Sequence, residues 1–189
     1  MNLSDGVVTL SPLRLADVDA HLAGEDELLV RWLNAGPGTR VGTEAYFLRC
    51  IEQWTTGGPL RAFAIRTGTP TILVGTIDVR FDQPDSAPGQ VNIAYGLYPA
   101  WRGRGLATRA VHLACRYAGA EGATQAVIKV DPDNLASAAV ARRSGFTFDT
   151  QVQESDGNRL NRHLRDLPTG TTAARKMRSL GEAAGRRET

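Results

Sequence analysis

Cysteine, histidine and long apolar runs are all scarce in this chain of 189 residues, and each scarcity closes a class of function. The two cysteines, Cys50 and Cys115, sit in separate amphipathic segments without metal-ligand spacing, so neither a disulfide scaffold nor a thiolate metal site is expected. They read as buried thiols of a reducing compartment. The three histidines, His21, His112 and His163, fall in three different elements, and no metal is expected. No apolar run reaches the roughly 18 residues that a membrane span needs. Residues 1–10 carry Asp5 and lack a basic start followed by an apolar stretch, so no secretory signal is expected and the location reads as cytoplasmic.

Net charge is small as well, at +2, and it is unevenly placed. Residues 169–189 hold Arg175, Lys176, Arg178, Arg186 and Arg187 against Glu182 and Glu188, a net +3 that leaves −1 for residues 1–168. A basic nucleic-acid footprint on the folded part is therefore not expected. The tail has few apolar side chains to offset its ordering entropy, so residues 169–189 read as a disordered basic tail on a single domain, 1–168. What is present is ordinary for such a domain, with 42 % hydrophobic and 22 % charged residues.

The apolar period changes along the chain. Val7 to Leu13 reads as a first strand at an edge, with Pro12 inside it. Asp17 to Leu33 recurs at helical spacing through Val18, Leu22, Leu29 and Leu33. Thr43 reads as the cap of a helix over Glu44 to Trp54, with Phe47, Leu48, Ile51 and Trp54 on one face and Gly57-Gly58-Pro59 as its stop. Phe63 and Ile65, then Ile77, Val79 and Phe81, alternate around a Thr67-Gly68-Thr69-Pro70 turn and predict an antiparallel hairpin. Val91, Ile93, Tyr95 and Leu97 predict the next strand. A helix follows from Leu106, with Ala110, Leu113, Ala114 and Tyr117 in its stripe. Then come a buried strand over Ala126 to Val130, a short helix over Leu135 to Arg143 closed by Gly145, and strands over Phe146 to Val152 and Leu160 to Leu167. The order predicts a mixed α/β (α+β) layer structure with a strand–loop–helix unit at its centre.

That unit carries the chemistry. In Leu97-Tyr98-Pro99-Ala100-Trp101-Arg102-Gly103-Arg104-Gly105-Leu106-Ala107-Thr108 a strand enters a glycine turn that opens into a helix. Gly103 and Gly105 permit close backbone approach, and a helix start offers unpaired N–H groups and a positive dipole end. Arg102 and Arg104 add cationic charge, so the segment suits a pyrophosphate. It lacks the Gly-Lys-Ser/Thr ending of a nucleotide P-loop. The Gly-x-Gly-x-x-Gly dinucleotide spacing is missing too.

Arg102-x-x-Gly105-x-Ala107 resembles the signature of the GNAT N-acetyltransferases. Asn134-x-x-Ser137-x-x-Val140-x-x-x-x-Gly145-Phe146 resembles that superfamily's following motif. The stretch from Tyr95 to Thr108, and Thr9-Leu-Ser-Pro-Leu-Arg-Leu-Ala-Asp, are most similar to the ribosomal-protein N-terminal acetyltransferase branch. The resemblance spans roughly residues 7 to 167. It implies a GNAT-like mixed sheet with helices on both faces and splayed central strands, with acetyl-CoA as donor and an amine as acceptor. By the same resemblance Leu97 and Tyr98 offer backbone groups to the pantetheine arm and thioester oxygen. Arg102, Gly103, Arg104, Gly105, Leu106, Ala107 and Thr108 hold the pyrophosphate, and Asn134 and Ser137 lie toward the thiol end. Capping of the short helix is an equally good reason for Asn134.

Two positions depart from the family pattern. Asn92 stands where many relatives carry a glutamate base, and Ala141 where many carry a tyrosine acid. Asn92 is then left to hold a water, with Asp78 on the neighbouring strand as substitute base and Ser137 as proton relay; solvation is the plainer reading of Asp78, and core packing that of Tyr95. The acceptor is expected to be a protein N-terminus or a small-molecule amine. Asp82, Asp85, Glu154 and Asp156 keep an aminoglycoside-type acceptor open, while Asn92 and Ala141 keep open a catalytically silent coenzyme A-binding module. A homodimer is compatible with all of these.

Overall fold

The computed structural model describes residues 1–34, 36–83, 86–154 and 157–168, and the expected tail, Asp85 and Asp156 lie outside them. Eight strands and five helices follow one another as β1 (Leu3–Ser4), β2 (Val8–Pro12), α1 (Val18–Gly24), α2 (Glu27–Trp32), α3 (Arg40–Thr56), β3 (Leu60–Thr67), β4 (Ile72–Arg80), β5 (Gln90–Leu97), α4 (Leu106–Ala120), β6 (Gln125–Val130), α5 (Leu135–Arg143), β7 (Thr147–Gln153) and β8 (Arg159–Asp166). They form one sheet in the order β1-β2-β3-β4-β5-β6-β8-β7, in which the β5–β6 pair is parallel and the others antiparallel. A parallel neighbour needs a crossover, and α4 supplies it.

The alternation of β4 and β5 sets the two faces. Ile77, Val79, Val91, Ile93 and Leu97 pack with α4, whose Leu106, Ala110, Leu113, Ala114 and Tyr117 are at most 5 % exposed. Each such aliphatic side chain contributes about 1.5–3 kcal/mol by leaving water. The opposite face of β3 and β4 carries Ala62 and Ala64 and packs on Phe47 and Cys50 of α3 and Val18 of α1. Small strand residues let those helices sit close. Beside them, Arg66 Nη2 holds both carboxylate oxygens of Asp17 at 2.7 Å, both residues being buried.

The structure departs from the sequence pattern in four places and supplies a strand order that the pattern left open. The helical run from Asp17 to Leu33 is two helices, because the Asp26 carboxylate accepts from Leu29 N–H at 3.0 Å and starts α2 afresh. Helix α3 is capped by Thr39, which accepts from Gly42 N–H, whereas Thr43 is buried on its inner face. That face is Thr43, Phe47 and Cys50, and Leu48 is exposed. Strand β2 is flanked by the two-residue β1 rather than open, and β8 inserts between β6 and β7.

Candidate active site

The turn after β5 is built from backbone. Tyr98 N–H donates to Val74 O at 2.9 Å, a 3-10 turn over Pro99–Trp101 follows, and Gly103 and Gly105 take φ of 73° and 74°. A Cβ at either glycine would meet no heavy atom within 4 Å, so the space above both is open and the left-handed backbone is what demands glycine. Gly105 is the N-cap of α4 and no side chain caps this helix, whereas α2, α3 and α5 are capped by Asp26, Thr39 and Asn134. The first-turn N–H groups of Leu106, Ala107 and Thr108 thus have no partner inside the helix. Leu106 and Ala107 turn their side chains into the core, so only their backbone can serve a ligand.

The two arginines of the loop differ from expectation in where their charge goes. Arg102 donates from Nε to Leu97 O at 2.9 Å and from Nη1 and Nη2 to the two Asp26 oxygens at 2.7 Å each. It fastens the loop to α2, and its guanidinium holds the Asp26 carboxyl below the usual range. Arg104 lies over the Trp101 ring, 5.0 Å from its centroid.

Below the loop the sheet parts. Pairing between β5 and β6 ends at Asn92 and Val127, yet β4 stays paired with β5 as far as Leu97 and β8 with β6 as far as Val130. In an antiparallel ladder a residue turns both peptide groups to the same neighbour, and its successor turns both the other way. Since Tyr98 bonds Val74, Gly96 and Ala94 also face β4, while the peptide groups of Tyr95 and Leu97 face the gap. Arg102 occupies the Leu97 carbonyl. Leu97 N–H and both peptide groups of Tyr95 therefore line the gap, whereas Tyr98, expected to contribute there, has its N–H turned into the sheet.

The far wall of the gap is the start of α5. Asn134 Oδ1 accepts from Ser137 N–H at 3.0 Å, and the Tyr95 hydroxyl lies 2.9 Å from Ser137 Oγ and 3.2 Å from Ser137 O. Burial pushes the Tyr95 phenol up to about 12. Ala141 is fully buried.

The α1–α3 side of the gap is apolar at its loop end and polar beyond. Gly96 receives α2, since a Cβ there would lie 2.5 Å from Leu29 and 2.9 Å from Leu33. Past Ala94 on the same strand face comes Asn92, whose Oδ1 is buried with no hydrogen-bond partner among the described residues. Asp78, read from sequence as solvated, is 7 % exposed, and its Oδ2 accepts from Tyr46 Oη at 3.0 Å and Arg80 Nη2 at 2.9 Å. Burial pushes the Tyr46 phenol up, and the Cys50 thiol up to about 11. His21 Nδ1 lies 3.0 Å from Tyr98 Oη, and burial holds its imidazole below the usual value. Glu154 is bound to Lys129 Nζ at 2.6 Å.

The structure thus brings residues 102–108 together with the open end of the gap. Asn92 and Asp78 lie on one side of the sheet, and Ser137 stands across from Tyr95 on the other. Sequence reading missed the contacts of Tyr95, Asp26, His21 and Tyr46. Only Asp26 had a local signal, an acidic cap just ahead of Leu28 and Leu29.

A family model described as an acetyltransferase (GNAT) domain matches residues 8–147. The fold is similar to that of RimL, a ribosomal L7/L12 alpha-N-protein acetyltransferase solved with coenzyme A. The TM-score is 0.76 and the identity 19 %, over 89 % of this chain and 99 % of that one. It is also similar to Mycobacterium smegmatis RimJ in complex with CoA-disulfide, with TM-score 0.70 and 19 % identity over 88 % of this chain and 86 % of that one. Microcin C7 self-immunity acetyltransferase MccE, solved with acetyl-CoA and AMP, aligns at TM-score 0.72 and 19 % identity over 87 % of this chain and 98 % of that one. No curated protein matches the sequence.

Proposed function

The chain belongs to the GNAT acetyltransferase family, and from that premise we propose that it moves an acetyl group from acetyl-CoA onto the primary amine of a protein N-terminus. The observation that carries this reading is the parting of β5 and β6 beneath the uncapped start of α4. A pyrophosphate fits the N–H groups of residues 106–108 and the open space over Gly103 and Gly105. An amide-bearing arm fits the Tyr95 and Leu97 peptide groups that β6 leaves unpaired.

Bound acetyl-CoA supplies a thioester whose C–S bond breaks as the C–N bond forms. Leu97 N–H, facing the gap, is the donor placed to receive charge on the carbonyl oxygen. Asn92 Oδ1, a buried acceptor without a partner among the described residues, is suited to an N–H of the incoming amine. An amide oxygen cannot take up a proton at neutral pH, so the amine must arrive neutral. Asp78 is the nearby carboxylate on β4, and its Oδ2 already carries two donors.

This favours an α-amine. With pKa near 7.7–8.0 against about 10.4 for lysine, a peptide N-terminus offers roughly 300-fold more free amine at pH 7. Charge around the gap supports the same choice. Among the described residues Arg80 with Asp78, Lys129 with Glu154 and Arg31 with Asp133 are matched pairs, so these three carboxylates are already neutralised toward a polycationic drug. RimL, by name a ribosomal L7/L12 alpha-N-protein acetyltransferase, shares the fold. Two free, buried cysteines suit a cytoplasmic setting.

The test is thiol release from acetyl-CoA with peptides bearing free or blocked N-termini, polyamines and aminoglycosides. Turnover of free N-termini, rising with pH toward the acceptor's own pKa, is expected. Faster turnover of an aminoglycoside would replace the acceptor. Coenzyme A binding without thiol release from acetyl-CoA in the presence of any acceptor would mark a silent binding module.

A further inference from the structure

Tyr95 lies three residues beyond the last β5–β6 pair, Asn92 with Val127. Its ring shares the α4 side of the sheet with Val91, Ile93 and Leu97, where a phenol must find a hydrogen-bond partner. It finds one across the gap in Ser137, at 2.9 Å to Oγ and 3.2 Å to the carbonyl. Ser137 is itself fixed, because its N–H is held by Asn134 Oδ1 at 3.0 Å.

Each hydroxyl has one proton, so two arrangements are available. Tyr95 can donate to Ser137 O and accept from Ser137 Oγ, which closes the pair on itself. Alternatively Tyr95 donates to Ser137 Oγ, and the serine proton is then free to leave the pair. The second arrangement costs Ser137 O a donor at 3.2 Å and gives the gap a donor.

The geometry points to Tyr95 as the positioning residue for Ser137: by donating to Ser137 Oγ it turns the serine proton into the gap, where it hydrogen-bonds the departing thiolate. The inference rests on the acetyl-transfer reading above. When the C–S bond breaks, its electron pair stays on sulfur, and the proton lost by the acceptor nitrogen goes to solvent. Both hydroxyls begin and end protonated. Burial supports this division of labour, since it pushes the Tyr95 phenol up to about 12. An ordinary thiol titrates near 8.5, so a full proton transfer from Tyr95 to the thiolate would run uphill. Donating a hydrogen bond is what such a phenol does well.

Tyr95→Phe keeps the ring and removes the hydroxyl; Ser137→Ala removes the group it acts on. Tyr95→Phe is expected to lower kcat about tenfold, with KM for acetyl-CoA and Tm nearly unchanged, and to have no further effect in the Ser137→Ala background. A second readout needs no turnover. Coenzyme A, but not desulfo-coenzyme A, should bind the wild type more tightly as pH rises through about 8.5, where the thiol ionises. That gain should shrink in both single variants. An equal loss of kcat with and without Ser137 would overturn the proposal. So would a pH-dependent gain left intact by Tyr95→Phe, which would make the contact a structural tie. Because the binding experiment contains no acceptor, failure of the acetyl-transfer reading shows up separately, as coenzyme A binding with no acceptor consumed.

Discussion

The two sides of the parted sheet are made differently. On the proposed donor side, residues 97–108 are contiguous and offer backbone: two left-handed glycines, an uncapped helix start and peptide groups facing a gap. The other side, where we propose the acceptor enters, is assembled from side chains far apart in sequence. Tyr46 meets Asp78 across 32 positions and His21 meets Tyr98 across 77. A phosphate-sized anion needs only correctly curved backbone, which a dozen residues can encode. An amine site must choose among amines, and that takes side chains that converge only after folding. The joint between the two is Asp26–Arg102, which ties the cap of α2 to the glycine turn.

The sharpest way to break the contrast is Gly105→Glu. The substitution forces a left-handed φ on a non-glycine residue, costing about 1–2 kcal/mol, but meets no neighbour within 4 Å. It also places a carboxylate against the anion site. Coenzyme A affinity measured by calorimetry should fall at least ~100-fold, about 2.8 kcal/mol, while the protein stays folded. Unchanged affinity in a folded variant would remove residues 102–108 from the donor site.

A smaller effect is expected at the joint. Asp26→Asn keeps an acceptor for Leu29 N–H but takes the charge from Arg102. If Arg102 braces the loop, coenzyme A affinity falls about threefold, in keeping with a partly exposed ion pair. A rise in affinity would instead show that Asp26 withholds Arg102 from the phosphate.

The smallest effect concerns pH, and it has the same sign on both sides. Burial holds His21, on α1, and His112, on α4, below the ordinary value of 6.5. The unfolded chain therefore takes up protons first as the solution is acidified. The contribution of neutral histidine is complete above about pH 6.5 and is lost as pH falls through the lower folded values. Tm followed from pH 8 to pH 5 should decline below about 6.5, and His21→Gln should flatten that decline. A profile unaltered by the substitution would show that His21 does not titrate with unfolding.

How much was legible follows from where each signal resides. The stripe of α4 and the alternation of β5 are periodic in sequence, and both elements form where the period predicts them. Helix starts were less legible. Thr39 and Thr43 are both plausible caps, and the choice fell to Thr39 because the fold buries Thr43. Tyr95 shows how a correct pattern misleads. Its place beside Val91 and Ile93 does put it on the packed face, yet its hydroxyl reaches a helix that begins 40 residues later.

The sequence by itself determined the period of each element, the glycine turn with its left-handed positions, and the family. These are properties of neighbours a few residues apart, written into side-chain spacing and the φ that glycine alone takes without strain. The tertiary structure decided the insertion of β8 between β6 and β7, the end of β5–β6 pairing at Asn92, the diversion of Arg102 to Asp26, and the meeting of Tyr95 with Ser137. Strand order, sheet parting and the partner of a buried polar group depend on what else is packed nearby. No local stretch of chain carries that information.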